Sequence, residues 1–500
     1  MNKRIVFVKL SIDSGYPSDF NHGIACLVPI AKKHSYDVDY LSFCDKISHK
    51  DFRNRIAELD PSIVAFSCTS HQLKYLAEYS KELEGYPNIL QIAGGVGITL
   101  DPEWIFSQSA IRGACIGEGE IPLDELLSNI ENGRNIENTR GFCWHLNGKK
   151  ICNPVPQFVP ALSVLDFPDY SIFDKEVVVR DEEITMMFGR GCPYSCYYCG
   201  NAALRSVYPS PKGYWRIPTV EYCMKLLERT LKQYPETKSI IFADDLLIAN
   251  KAWFEEFASE YSKRIKMPYK LCGRTEYITP ELVKTLKQSG CVQVSIGVES
   301  GNERFRETML NRKHSNREII EKCRMIKDAG LYLYTFCVVG FPFEDRAKME
   351  DTYNLLKKIE PNDGHCSYFF PYRRTELYKR CEDANLLKNA DEMADITNFY
   401  KGPAIKMTLA QEKDCVHMRK KILAYYAKNR KRHKRLKRAT EATAHLHAGI
   451  KKTFLVTCYN AAIFLLDVPL LYKIIKSVYI LSGMRMLKRR LVKNKVPTIV

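Results

Sequence analysis

Short apolar runs alternate with helix-length amphipathic segments along most of this 500-residue chain, and that alternation admits few folds. Between residues 1 and 136 the runs fall at 5–10, 38–42, 63–67, 89–93 and 113–116. Five strands joined by crossover helices make a doubly wound, flavodoxin-like parallel sheet. Ligands of such sheets bind beyond the carboxyl ends of the strands. Three of those ends carry small or polar residues: Ser67-Cys68-Thr69-Ser70, Gly94-Gly95-Val96-Gly97 and Gly117-Glu118-Gly119-Glu120. A tight strand-to-helix turn explains any one of them; three aligned ends point to a binding site. Residues 137–180 read as a hairpin turning at Asn147-Gly148, then a linker rich in Pro and Asp. A second series over 181–375 places strands at 184–188, 239–243, 270–273, 292–297, 332–338 and 365–370, six βα units that suggest a partial (β/α)6 barrel. In parallel barrels chemistry gathers at the carboxyl ends of the strands. Residues 376–430 read as a helical carboxyl-terminal region and 431–500 as a basic amphipathic tail.

The first strand of the second series delivers Gly189-Arg190-Gly191 and then Cys192, Cys196 and Cys199, a C-x3-C-x2-C loop. Three thiolates can hold a 4Fe-4S cluster and leave one iron open, whereas a ferredoxin cluster is closed by four. Structural zinc wants four N or S ligands in paired spacings, and no second pair lies nearby. Ordinary buried cysteines are the remaining alternative in a chain with 18 of them.

The cysteine loop resembles that of the radical S-adenosylmethionine (SAM) superfamily. The resemblance implies that the open iron chelates SAM and that cluster reduction cleaves it to a 5'-deoxyadenosyl radical. It also implies SAM contacts at the later strand ends. Asp244 and Asp245 would hold the amino group, Arg274, followed by Glu276, the carboxylate, and Gly340 and Pro342 the adenine, with Tyr198 against the ring. Capping aspartates and a surface ion pair are the plain readings of the first two pairs. Gly297-Val298-Glu299-Ser300-Gly301 is similar to a G-x-E-S segment of the cobalamin-associated class, which makes Glu299 the candidate catalytic residue, at the ribose or a substrate-side proton. The order Gly94-Gly95, Pro102-Glu103, Gly117-Glu118-Gly119-Glu120 resembles the cobalamin-binding domain that precedes many radical SAM domains. Ser67, Thr69, Gly94, Gly95, Gly117, Glu118, Gly119 and Glu120 are then its candidate contacts. Two departures stand out: Gly97-Ile98-Thr99 replaces the usual polar residue and Pro-Thr, and no D-x-H-x-x-G supplies a histidine to cobalt. His71 is expected at a surface or helix start.

The net charge of +17 is not spread over the chain. Residues 401–500 hold 24 Lys and Arg against 4 Asp and Glu, so the first 400 residues are slightly acidic. Eleven of those cations fall in 419–438, followed by apolar runs at 453–466 and 468–481. Basic segments flanking amphipathic ones suit a peripheral helix on an anionic membrane rather than nucleic acid, which gives no reason for the apolar runs. The amino terminus runs into a strand rather than a signal sequence, and a reducing cytoplasm suits an oxygen-sensitive cluster. The expected enzyme is a cobalamin-associated radical SAM methyltransferase. It would act on an unactivated carbon of a small or lipid-like substrate, with flavodoxin or ferredoxin as reductant; oxidative chemistry without methyl transfer is the variant within the class. A methylthiotransferase acting on RNA would need three further cluster cysteines, for which Cys26, Cys44, Cys68 and Cys115 show no motif. A non-catalytic cobalamin-binding sensor has no use for the cysteine loop.

Overall fold

In the computed structural model, which describes residues 2–14, 20–146 and 148–444, two seven-stranded sheets follow one another along the chain. The first is built on β1 (Arg4–Leu10), β2 (Asp37–Phe43), β3 (Ile63–Ser67), β4 (Leu90–Gly94) and β5 (Gly113–Cys115), in the parallel order β2-β1-β3-β4-β5. Both faces of β1 are buried, as a central parallel strand requires. Its side chains alternate between two cores. Ile5 and Phe7 meet Ile24, Val28, Leu123 and Leu127 on one face, and Val6 and Val8 meet Phe52, Ile56 and Leu76 on the other. The helix His22–Lys33 starts where Asn21 accepts a hydrogen bond from the Ile24 amide, and it packs with the helix Glu120–Glu131 on the first of these faces.

The hairpin β6 (Phe142–Leu146) and β7 (Lys149–Cys152), read from sequence as part of a connection, instead extends this sheet antiparallel to β5. The reason is packing: Trp144 is fully buried against the bare α-carbon of Gly113. Cys143 and Cys152 pair as a disulfide across the hairpin, which the expectation of a reducing compartment did not foresee.

The second sheet carries β8 (Val179–Arg180) antiparallel at one edge. Six parallel strands then follow in sequence order: β9 (Glu183–Met186), β10 (Ser239–Phe242), β11 (Tyr269–Gly273), β12 (Cys291–Glu299), β13 (Tyr332–Val339) and β14 (Asp363–Tyr368). Strands β9 and β14 do not pair, so the barrel stays open. Helices between them are capped by local signals, such as Thr219 at Val220–Gln233 and the reciprocal Ser315/Glu318 box at Asn316–Asp328. Residues 409–429 of the helix Leu409–Ala444 cover the β13–β14 side, where Tyr426 is buried and bonded to Thr335. Cys337, Cys366 and Tyr368, which the sequence places on barrel strands without a role, are absorbed into this contact.

From Arg430 a second compact unit begins, and its described part is helical to Ala444. Among the described residues no helix is long and apolar enough to cross a membrane. The apolar runs 453–466 and 468–481, and with them most of the expected membrane-binding tail, lie outside the described residues. At the start of the basic run two cations are already engaged: Arg419 donates to the Cys366 carbonyl (2.9 Å), and Lys421 pairs with Glu350 (2.8 Å).

Candidate functional site

The cysteine loop leaves the end of β9 and is held from three sides. The Tyr197 amide donates to the Leu310 carbonyl (3.3 Å), the Leu377 amide donates to the Tyr197 carbonyl (2.9 Å), and Asn311 Nδ2 donates to the Ser195 carbonyl (2.9 Å). Cys196 is buried, while Cys192 and Cys199 are partly exposed. Burial pushes Cys192 up and Cys199 up to about 12, and the neighbouring cysteines add to both shifts. Cys199 sits at the start of the helix Gly200–Arg205. That helix packs on the short helix Val96–Leu100, which begins directly after Gly95 in the first sheet. The carboxyl ends of the two sheets therefore meet at the cysteine loop.

Arg274 reaches the loop from the end of β11. Its guanidinium lies 3.6 Å over the Tyr194 ring, donates to Cys196 Sγ at 3.3 Å and pairs with Glu276. Although burial opposes it, the bonds from His314 and Arg274 hold the Glu276 carboxyl well below the ordinary range. The pair of Arg274 and Glu276, for which a surface ion pair is the plain reading, thus runs from a buried guanidinium beside a cluster cysteine to an exposed carboxylate. At the end of β12 the ladder shifts register between Gly297 and Glu299, and Glu299 takes a φ of 62°. Arg312, which no motif announced, donates to Glu299 Oε1 (3.3 Å), the Tyr198 hydroxyl (3.2 Å) and the Gly297 carbonyl (2.8 Å). Tyr198 sets its edge against Phe341 with ring centroids 5.7 Å apart.

Asp244 does not cap a helix. It is buried, and its carboxylate accepts from the amides of Phe188 (3.1 Å) and Gly189 (2.5 Å), fixing the strand end that feeds the cysteine loop. Burial pushes it up to about 7 against the pull of those amides. Asp245 remains open to solvent near Cys192 and Cys199, with Asn201 as partner. Gly340 also departs from expectation. It is buried with φ 79°, its α-carbon faces Cys415 and Met407, and its amide donates to Glu344 (2.8 Å), so that face is closed to a ring. Pro342 beside it is buried as well.

On the first sheet, Thr69, Gly95 and Val96 form an exposed lip, with Ser67 and Gly94 partly exposed behind them. Gly97 is a packing requirement: a Cβ there would stand 2.6 Å from the Thr69 carbonyl carbon. Glu118 and Glu120 do not face this lip. Glu118 pairs with Arg190 (2.9 Å) and Arg216, Glu120 pairs with Arg190, and the Glu118 amide donates to the Tyr208 hydroxyl (2.8 Å). Through Arg190 they bind the lead-in of the cysteine loop, and Glu118 also holds Arg216. The same tyrosine fills the space beside Gly117, and Gly119 lies against Leu27. His71 is buried rather than surface-lying, packed between Phe370 (4.2 Å) and Phe399 (4.1 Å).

Two family models match within the chain: the B12 binding domain over residues 20–127 and the radical SAM superfamily over residues 186–356. The chain carries a radical SAM domain behind an amino-terminal B12-binding domain. It is 25% identical over 377 residues to an uncharacterized methyltransferase of Pyrococcus horikoshii, covering 73% of this chain and 79% of that one. It is 25% identical over 409 residues to the anaerobic magnesium-protoporphyrin IX monomethyl ester cyclase of Cereibacter sphaeroides, covering 76% of this chain and 64% of the cyclase. In fold it is similar to the radical SAM methyltransferase TsrM of Kitasatospora setae (TM-score 0.63, 14% identity, 78% and 77% coverage) and to the cobalamin-dependent radical SAM enzyme OxsB (0.61, 16%, 82% and 60%).

The cofactors of these domains are a 4Fe-4S cluster, SAM and cobalamin. Among the described residues no three His, Cys, Asp or Glu converge as around a single ion. A four-iron cluster asks for something different, since each thiolate binds its own iron, and three cysteines on one loop within one another's field fit that. The B12-binding domain presents the bare backbone and small hydroxyls of Thr69, Gly94, Gly95 and Ser67, which fit a large amide-rich ligand.

Proposed function

We propose that this cobalamin-dependent, methyltransferase-like radical SAM enzyme methylates an unactivated carbon. The observation that carries the reading is the contact between the helix after Cys199 and the helix after Gly95, which sets the cysteine loop beside the lip of the B12-binding domain. When bound, the cluster supplies reductive cleavage of SAM and cobalamin a transferable methyl group. Cys192, Cys196 and Cys199 hold the cluster, and the Arg274 N–H bond to Cys196 offsets negative charge on its sulfur. Asp245 and Glu299, two carboxylates near the loop with no bond to backbone, orient the amino and hydroxyl groups of SAM. Arg312 fixes Glu299 and Tyr198 in one plane of contact. Ser67, Thr69, Gly94 and Gly95 cradle cobalamin.

Reconstituted protein given SAM with a deuterated methyl group tests the reading. Wild type yields both S-adenosylhomocysteine and 5'-deoxyadenosine, and Cys196→Ala yields neither. Formation of 5'-deoxyadenosine alone supports a second reading, oxidative chemistry without methyl transfer, which the likeness to the cyclase favours. The methylthiotransferase alternative finds no support in the first domain, where Cys68 and Cys115 are buried in opposite cores. A lipid-like substrate and contact of the basic tail with an anionic membrane belong to this proposal. Full-length protein would co-sediment with vesicles containing phosphatidylglycerol at low salt and not with phosphatidylcholine vesicles, and equal partitioning removes the membrane contact.

A further inference from the structure

A cavity of about 130 Å³ lies at the junction of the two sheets' carboxyl ends. Its walls come from segments that follow β3 (Leu73), β4 (Leu100 to Trp104) and β14 (Phe370 to Arg373), and from 378–394. Leu73, Trp104, Phe370, Tyr378, Leu387 and Met393 make most of the lining apolar and aromatic. The charged residues on it are Arg373, Lys388 and Asp101, with Asp101 paired to Arg373 (2.5 Å), so one positive charge exceeds the acids.

Two segments that line the cavity are joined in sequence to residues near the cysteine loop. Tyr378 follows Leu377, whose amide is bonded to Tyr197 between two of the cysteines. Tyr372, 5.1 Å from Phe370 ring to ring, is within electrostatic reach of Cys199. The short helix Ala390–Ala394 covers the opening. Its far end is tied to the B12-binding domain by Asp395 to Lys74, Gln72 to the Thr397 carbonyl (3.2 Å) and Asn398 to the Asp13 carbonyl (2.6 Å).

We propose that this cavity is the substrate site, and that it takes an apolar, ring-bearing small molecule with one anionic group directed at Arg373 and Lys388. Aromatic walls favour a ring in offset or edge contact, and an excess cation in an apolar enclosure selects an anion over its neutral analogue. The inference rests on the radical SAM reading above for the word substrate, and on the cavity's own lining for the chemical class.

The test compares two probes of the same ring system, 8-anilinonaphthalene-1-sulfonate and the neutral N-phenyl-1-naphthylamine, on reconstituted, cobalamin-loaded protein. Trp104 is one of four tryptophans and the one lining the cavity, so energy transfer from it reports occupancy. The sulfonate is expected to bind about tenfold more tightly than the amine, a difference one charge-assisted contact supplies. Arg373→Gln with Lys388→Gln, which leaves Asp101 unbalanced, brings the sulfonate to the level of the amine or below it and leaves the amine unchanged, which also shows that the variant is folded. Ala390→Trp excludes both probes, and Trp104→Phe removes the transfer. Equal affinities in wild type, or a sulfonate affinity indifferent to both the double variant and Ala390→Trp, overturns the assignment. Binding only to cobalamin-free protein overturns it too, by making the cavity part of the corrin site. Iron and cobalt are measured in the same samples: protein that carries neither contradicts the radical SAM reading, while the probes still decide the cavity.

Discussion

Glu299 holds a left-handed backbone that costs a non-glycine residue about 1–3 kcal/mol, and the surroundings enforce it. Gly297 leaves room that a Cβ would take from the Glu299 carboxylate, and Arg312 ties that carboxylate to Tyr198. Strain so well supported, at the last residue of β12, is the ground on which Glu299 is proposed as a SAM contact. Glu299→Gln is expected to keep full iron content while SAM affinity falls roughly tenfold, read by calorimetric titration. Glu344 is a different case, a buried carboxyl serving the Gly340–Phe341 turn through two amide bonds (2.8 and 3.2 Å). Burial pushes it up to about 8, so the folded chain holds its proton where the unfolded chain has released it. The stability contributed by that proton is full below about pH 4.3 and is lost as pH rises to about 8. Glu344→Gln removes this loss: melting curves from pH 5 to 8 should show its advantage over wild type growing with pH. At this scale the sequence told local facts only. Three cysteines within eight residues are legible because their spacing is the chemistry, whereas Arg312 meets Tyr198 across more than a hundred residues and leaves no pattern. Asp244 was less legible, because a strand-end aspartate reads alike whether it faces a ligand or the neighbouring strand's amides.

The loops that end the strands carry the next level of constraint. The 67–70 and 94–97 segments lie backbone against backbone, with the Gly97 amide donating to the Cys68 carbonyl (3.0 Å). Gly97→Ala would press a Cβ into the Thr69–Ser70 peptide, which cannot swing aside as a side chain can. A loss of about 1–3 kcal/mol in urea unfolding is expected, with weakened cobalamin retention in the same protein. Gly97 therefore departs from its family pattern for a reason internal to the fold. A similar reassignment applies to Glu118 and Glu120, which clamp the Gly189-Arg190-Gly191 lead-in to the B12-binding domain. Removing one partner of a fully buried pair costs about 3–5 kcal/mol. Arg190 keeps 22% of its side chain exposed, so Arg190→Ala should cost less, about 2–3 kcal/mol in urea unfolding. A variant as stable as wild type would show the clamp to be idle. The sequence marked these acids as functional from their place after β5 but had no means of showing that the partner would be protein, since Arg190 lies 70 residues on.

For the molecule as a whole, strand periodicity was a sufficient guide. All eleven parallel strands appear within a few residues of their expected bounds, because a buried parallel strand must be continuously apolar whatever it packs against. The hairpin's capture by the first sheet and the cavity under Ala390–Ala394 depend on contacts between distant segments and were not legible. The two sheets present their carboxyl ends to a single place, and three cysteines stand there. The direct test of that arrangement is the metal content of anaerobically reconstituted protein. The account predicts about four irons and about one cobalamin per chain, with iron lost in Cys196→Ala and cobalamin retained. About eight irons without cobalamin, or no iron dependence on Cys196, would contradict it.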